Sequence, residues 1–281
     1  MRVLIAGCGD VGTRLGLLLA SEGHEPCGLR RDPSGLPAAI TPLAADLSRP
    51  GTLRGLPDRL DAVVFLPTPD ERTESAYRAT YVDGLQRLAD ALGDLPPRLV
   101  VVSSTAVYGQ QSGEWVDEDS PAAPGRFNGR VLLEMEARAR ALSGGAVIVR
   151  CSGIYGPGRT WLLAQVRKGE AVQRDPPAWS NRIHADDAAG FLSHLLAVDD
   201  PAALYLASDD QPAPRYEVMA WLAERLGVPA PRGQTVPGAA QGRRVRNARL
   251  QRSGYRLRYP DFRAGYDALL AGPARDEENT R

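Results

Sequence analysis

The sequence predicts an α/β fold, a doubly wound parallel sheet with helices on both faces and a smaller lobe towards the C-terminus. Three observations predict it. Short β-rich runs alternate with helical patterns through most of the chain, which is the signature of strand–helix–strand crossovers. A glycine-rich segment, Gly7-Cys8-Gly9-Asp10-Val11-Gly12, joins the first strand to the first helix. After the last strand of the alternation, the pattern changes to an amphipathic helix and a Gly/Pro/Arg-rich stretch over 228–246.

The elements follow in order. Arg2–Ala6 is an apolar strand, and Val11–Ser21 carries apolar residues at helical spacing. Glu25–Leu29 is a second strand, with a short one at 41–44. Asp61–Leu66 and Leu99–Ser103 are apolar apart from the terminal Asp61 and Ser103, as strands buried on both faces are. Between them Glu71–Leu92 is a long helix with Ala76, Tyr77, Thr80, Leu85, Leu88 and Leu92 close to one face. Arg130–Leu142 is a helix, Ala146–Cys151 a strand, Ala185–Val198 a helix and Ala203–Ala207 the last strand of the sheet. Tyr216–Leu226 is an amphipathic helix stopped by Gly227, and short elements run on to Leu270. The expected division is a main domain of 1–155 plus 183–210, a small lobe of 156–182 plus 211–273, and a polar, frayed tail at 274–281.

Composition narrows the function classes. The 281 residues carry 34 basic and 34 acidic side chains, so no net field attracts nucleic acid or an anionic membrane. No apolar run approaches the ~20 residues of a membrane span. The chain opens directly on a strand, without the basic region and cleavage site of a signal peptide. Cys8, Cys27 and Cys151 show no metal-ligand spacing and read as small, reduced, buried residues, and the three histidines are scattered. A cytoplasmic protein with no metal is expected. All but one of the 34 basic residues are arginine, so Lys168 is the single candidate for any mechanism that needs a lysine.

The glycine segment matches GxGxxG between a strand and a helix, a context that makes the pattern far more specific than it is alone. Gly7 permits the tight turn, Gly9 leaves room for a pyrophosphate, and Gly12 lets helix and strand pack closely. The following helix start, at Asp10 and Val11, offers unpaired N–H groups to phosphates. At the end of the second strand, an NAD-preferring site carries an acid for the ribose 2′-OH. Here the chain runs into Arg30-Arg31, with no acid before Asp32. Guanidinium groups there suit a 2′-phosphate, which makes NADP the expected cofactor over NAD; the plainer reading is two solvated arginines. Asp46-Leu47 stands where an acid reaches the adenine amino group, or else caps the following turn. Leu66-Pro67 and Ser103, at the ends of later strands, complete the expected cofactor wall.

These residues, taken with later motifs, resemble the extended and atypical short-chain dehydrogenases/reductases of the NAD-dependent epimerase/dehydratase group. The later motifs are Val101-Val102-Ser103-Ser104-Thr105-Ala106-Val107-Tyr108-Gly109, Arg150-Cys151-Ser152-Gly153-Ile154-Tyr155-Gly156-Pro157-Gly158 and Asn181-Arg182-Ile183-His184-Ala185-Asp186-Asp187. The resemblance implies a Rossmann-type domain with a small C-terminal substrate lobe. It implies that Ser104 donates to the substrate's reacting oxygen and that the loop with Tyr155 and Gly156 borders the nicotinamide. It also implies a homodimer through the helices containing Glu71–Leu92 and Arg130–Leu142.

The family's YxxxK pair is missing. Its Tyr is the general acid/base, and its Lys lowers the Tyr pKa and holds the ribose. The corresponding run is Asn128-Gly129-Arg130-Val131-Leu132-Leu133-Glu134-Met135-Glu136, which puts Asn128 at the Tyr position and Leu132 at the Lys position. Lys168 lies far downstream, with Ala164 four residues before it. Positioned acid–base catalysis is worth ~10²–10⁴-fold in rate, so a substitute is needed for ordinary turnover. Tyr108 and Tyr155 are candidates, though ring packing is their plainer role, and Asn128 is a third. Arg243, Arg244, Arg246, Arg249 and Arg252 either hold an anionic substrate such as a nucleotide-linked sugar or form a solvated face. Two functions stay open. One is an NADP-dependent oxidoreductase or epimerase acting on a small hydroxyl/carbonyl substrate. The other is a catalytically weak NAD(P)-binding sensor or partner protein.

Overall fold

The computed structural model describes residues 1–93 and 95–271. The expected frayed tail therefore lies outside the described residues. Seven strands form one parallel sheet: β1 (Arg2–Ala6), β2 (Glu25–Arg30), β3 (Thr41–Ala44), β4 (Ala62–Phe65), β5 (Arg98–Ser104), β6 (Val147–Cys151) and β7 (Leu204–Ala207). Their order across the sheet is β3-β2-β1-β4-β5-β6-β7, and each neighbouring pair runs parallel. This is the Rossmann-type order, extended by one strand. Strands β4 and β6 are buried at every position; β4 accordingly reads as an unbroken apolar run, while β6 is apolar but for the buried Arg150.

Four helices cover the two faces: α1 (Asp10–Ser21), α2 (Asp83–Leu92), α3 (Phe127–Leu142) and α4 (Ala185–Ala197). α1 and α4 pack side by side on one face through Val11, Leu15, Leu19, Phe191, Leu192 and Leu195. α2 and α3 cover the other through Leu85, Leu88, Val131, Leu132 and Met135. The crossovers β2–β3 and β3–β4 contain no helix, so one wing of the sheet is closed by loops.

The long helix expected over 71–92 is built differently. It begins at Glu74, capped by the Thr73 hydroxyl on the Ala76 amide at 3.2 Å, and passes through a π turn at Arg78–Val82 before α2. α3 starts three residues ahead of the expected Arg130, because Phe127 docks edge-on against Tyr77 with ring centroids 5.4 Å apart.

A third apolar cluster stands apart from the sheet. It gathers helices Trp161–Arg167, Arg215–Leu226 and Phe262–Ala271 around Leu163, Val166, Val218, Met219, Leu222 and Phe262. The short strands Val172–Asp175 and Gly233–Thr235 pair beside it. No helix among the described residues is long and apolar enough to cross a membrane.

Candidate functional site

The strand order reverses between β1 and β4, and the crevice that this opens at the strands' C-terminal ends is where such sheets bind ligands. A long cleft runs there. Its wall includes Gly7, Gly9, Asp10, Val11 and Gly12 from the first turn, and Arg30, Arg31, Asp46 and Leu47 beyond β2 and β3. Leu66, Pro67, Ser103 and Ser104 continue it past β4 and β5.

The glycines play three distinct parts. Gly7 has φ +98°, and a Cβ there would meet the Pro67 backbone at 2.5 Å. A Cβ on Gly12 would press on Ile5 at 3.1 Å and on the Gly7 carbonyl at 3.2 Å. A Cβ on Gly9 would meet nothing within 4 Å. The protein's own packing therefore explains Gly7 and Gly12 but not Gly9, whose open face lies on the cleft wall beside the N-terminus of α1. No side chain caps that terminus, so its amides remain available to an anion. At the far end, the Ser152 hydroxyl oxygen is buried on the same wall without a hydrogen-bond partner. An open phosphate-sized face and an orphaned buried polar atom both fit a dinucleotide.

The adenosine end is strongly charged. Arg31 pairs with Asp70, Nη2 to Oδ1 at 2.7 Å, and Arg30 approaches the Cys8 carbonyl at 3.4 Å. Asp46 accepts from the Ser48 amide at 2.9 Å and hydroxyl at 2.6 Å, so it shapes the turn as well as facing the cleft. Partial burial opposes its ionisation, but Ser48, Arg31 and Arg49 outweigh that and hold Asp46 below the usual carboxylate range.

At the other end Ser104 caps the short turn Thr105–Val107. Its Oγ accepts the Ala106 amide at 3.1 Å, which leaves its own proton free to donate. Ser103 reaches the wall, but its hydroxyl donates away from the cleft to Glu136 at 2.7 Å. Leu132, at the position of the expected lysine, lines the cleft as an apolar side chain. α3 comes close to this turn because a Cβ on Gly129 would lie only 2.5 Å from the Ala106 carbonyl.

Three of the expected proton carriers are not brought to the cleft. Tyr108 is 1% exposed; its hydroxyl donates to the Asp117 carbonyl at 2.8 Å and accepts from Arg150 at 2.9 Å. Tyr155 belongs to the lobe cluster, packed on Tyr266 at 4.6 Å between ring centroids, and burial pushes its phenol far up. Asn128 sits in the first turn of α3, off the cleft wall. Gly156, with φ +145°, shapes the loop from behind, its Cα facing His184 and Ala185. His184 caps α4 by accepting the Asp186 amide at 3.2 Å, and burial lowers its pKa.

Other residues enter the wall that the sequence pattern did not single out. Thr80 and Tyr81 arrive through the π turn, and Arg159 arrives from the loop after Gly158. Tyr81 is the one tyrosine on the described wall, and desolvation holds its hydroxyl protonated well past the ordinary phenol range. The C-terminal arginines are mostly held by the chain itself. Arg243 donates to the Gln110 and Thr105 carbonyls at 3.0 and 2.5 Å. Arg244 donates to the Gly113 carbonyl at 2.7 Å between the rings of Trp115 and Trp179. Arg249 pairs with Asp119 at 3.0 Å. Among the described residues no cluster of three or more His, Cys, Asp or Glu has the arrangement of a metal site.

Fold and cleft together define a Rossmann-type dinucleotide-binding protein. The NAD dependent epimerase/dehydratase family matches residues 3–204, and the chain belongs to that family. A solved structure from Methylobacillus flagellatus, described as an NAD-dependent epimerase/dehydratase, is 41% identical with a TM-score of 0.82, over 96% of this chain and 97% of that one. Human epimerase family protein SDR39U1, solved with NADPH, is 25% identical with a TM-score of 0.78, over 96% of this chain and 99% of that one. A 3-diazoavenalumate denitrifying reductase from Streptomyces is 30% identical over 265 residues, 85% of either chain. The family is NAD(P)-dependent and includes epimerases and reductases.

Proposed function

We propose that this protein is an NADP-dependent oxidoreductase of the reductase or epimerase type, acting on a small hydroxyl/carbonyl substrate. The carrying observation is one continuous cleft, with Arg30 and Arg31 at one end, the glycine turn in the middle and Ser104 at the other. NADP, when bound, supplies or accepts the hydride. Arg30 and Arg31 hold the 2′-phosphate, Gly9 and the start of α1 the pyrophosphate, and Ser152 a polar group of the nicotinamide end. The substrate enters beneath the lobe that gathers helices Trp161–Arg167, Arg215–Leu226 and Phe262–Ala271.

Ser104 hydrogen-bonds the reacting oxygen and draws charge onto it. Tyr81, the one tyrosine on the described wall, is the candidate proton donor; desolvation keeps it protonated but also makes it a weak acid. No ammonium stands beside it, since Leu132 occupies that part of the wall. Carbonyl reduction is the direction that the relatives support. That support comes from NADPH in the solved SDR39U1 complex and from the reductase relative.

The same Leu132 wall favours a second reading, a sensor of NADPH with little turnover. NADPH and NADH titration of the pure protein, followed by NADPH consumption over a panel of carbonyls and nucleotide sugars, separates the two. The enzyme reading expects turnover that falls ~10²-fold in Ser104→Ala, the scale of losing one such donor. Tight NADPH binding without turnover on any substrate leaves the sensor. Tighter binding of NADH than NADPH would refute the role of Arg30.

A further inference from the structure

Asp10 is the first residue of α1 and stands on the cleft wall where the helix start faces an anionic ligand. Its carboxylate opposes the helix-terminal field that otherwise attracts phosphate. Two cations answer it. Arg14 Nε lies 2.9 Å from Asp10 Oδ1, and Arg14 Nη1 lies 2.5 Å from Asp186 Oδ1. Arg159 Nε lies 3.0 Å from Asp10 Oδ2, from a loop 149 residues further along the chain. That loop is a fixed hairpin. Gly156 and Gly158 hold φ of +145° and +82°, and the Arg159 amide donates back to the Gly156 carbonyl at 3.0 Å. A Cβ on Gly156 would sit 3.2 Å from His184, so the hairpin is seated against the start of α4. From this base the Arg159 guanidinium reaches across to the glycine turn and is itself part of the cleft wall.

We propose that Arg159 is a gating cation for the dinucleotide: its guanidinium swings from Asp10 to the pyrophosphate, so that the side chain bridges the substrate-side loop and the bound ligand. This rests on the dinucleotide reading of the cleft. Both partners of the existing pair are partly solvated, with side chains 41% and 35% exposed, so the pair is weak. A guanidinium on a phosphate makes shorter, charge-assisted and often bidentate bonds. Asp10 is not stranded by the exchange, because Arg14 remains with it.

The test is calorimetric titration of the full chain with NADPH, NADH, ADP-ribose and adenosine 2′-monophosphate, at low and high salt. Arg159→Ala is expected to weaken the three pyrophosphate ligands by the same factor, on the order of tenfold, and to flatten their salt dependence. Adenosine 2′-monophosphate, which has no pyrophosphate, keeps its affinity. Asp10→Asn, which removes the competing carboxylate, tightens the same three ligands. The proposal is overturned if Arg159→Ala binds them as the wild type does, or if adenosine 2′-monophosphate is lost in parallel. Wild-type protein that binds none of the pyrophosphate ligands would sink the dinucleotide reading itself, and this proposal with it.

Discussion

Gly7 and Gly9 stand two residues apart, yet the chain's own packing requires a glycine at the first and leaves the second open. An alanine at Gly7 must adopt φ near +98° and displace the Pro67 backbone 2.5 Å away, a strain of about 1–3 kcal/mol before any relaxation. An alanine at Gly9 enters open space at a negative φ of −83°. Gly7→Ala should therefore melt well below wild type. Gly9→Ala should melt close to it while binding NADPH at least ~10-fold more weakly, a change of ~1.4 kcal/mol. Thermal melts and NADPH titration of both variants check this, and undiminished binding by Gly9→Ala would move the pyrophosphate elsewhere. Asp209 poses a different residue-scale question. It is 1% exposed, and neither carboxylate oxygen has a hydrogen-bond partner. Desolvation, only partly countered by Arg182, pushes its pKa up to about 8. The unfolded group titrates near ~3.9, so between these values the native state binds the extra proton. Stability from this group is thus full below about pH 4, falls by ~1.4 kcal/mol per pH unit as pH rises, and is lost above about 8. Asp209→Asn is expected to gain on wild type as pH rises from 5 to 8, in urea melts at each pH. A difference that does not change with pH would contradict the assignment.

At the level of elements, the buried pair Glu136–Arg150 ties α3 to the sheet. Arg150 Nη2 and Nε meet Glu136 at 2.7 and 2.9 Å, while Ser103 donates to the same carboxylate and Tyr108 accepts from the same guanidinium. Glu136→Ala leaves a 5%-exposed guanidinium without its counter-charge, which typically costs about 3–5 kcal/mol. Chemical denaturation should show a loss of that order, and a loss below ~1 kcal/mol would mean that water replaces the carboxylate. Such couplings also mark what was legible in the sequence. The glycine turn and Arg30-Arg31 could be read because their geometry is local: a strand, a tight turn and a helix start fix it within a few residues. Ser104 could be placed because a motif fixes its register at a strand end. Tyr108 and Tyr155 could not, because the partners that hold them, Arg150 and Tyr266, come from distant elements. Thr80 and Tyr81 escaped for another reason. The π turn at Arg78–Val82 inserts a residue into the helical period, so a phase counted at 3.6 residues per turn misjudges which side chains face the cleft. Arg159 has no local signal at all, since its partner Asp10 belongs to the other end of the domain.

For the molecule as a whole, the cleft lies where separate bodies of packing meet. One apolar cluster fills each face of the sheet and a third fills the lobe, while the cleft wall draws residues from β-strand ends, α1, α3, α4 and the Gly156–Arg159 loop. The large apolar side chains left exposed among the described residues are Met1, Leu17, Trp115 and Trp161, none of them on α2 or α3. Those two helical layers are instead stapled within the chain by Arg78–Glu134 at 2.5 Å and Arg138–Gln86 at 2.9 Å. A dimer through them would be a polar one, and a ligand bridging the cleft is a separate source of added stability. A ligand that binds only the native state stabilises by RT ln(1 + [L]/Kd), about 2.7 kcal/mol at a hundredfold excess over Kd. For a chain of this size each kcal/mol raises Tm by roughly 2–4 °C. NADPH at such an excess is therefore expected to raise Tm by several degrees. On the proposed reading NADH at the same concentration should raise it less, because it lacks the phosphate assigned to Arg30 and Arg31. In Arg30→Ala the two curves should converge, through loss of the NADPH increment alone. Differential scanning calorimetry over a ligand series checks each step. An NADPH increment that survives Arg30→Ala would place the 2′-phosphate on other residues, and an equal shift with NADH in the wild type would remove the preference for NADP.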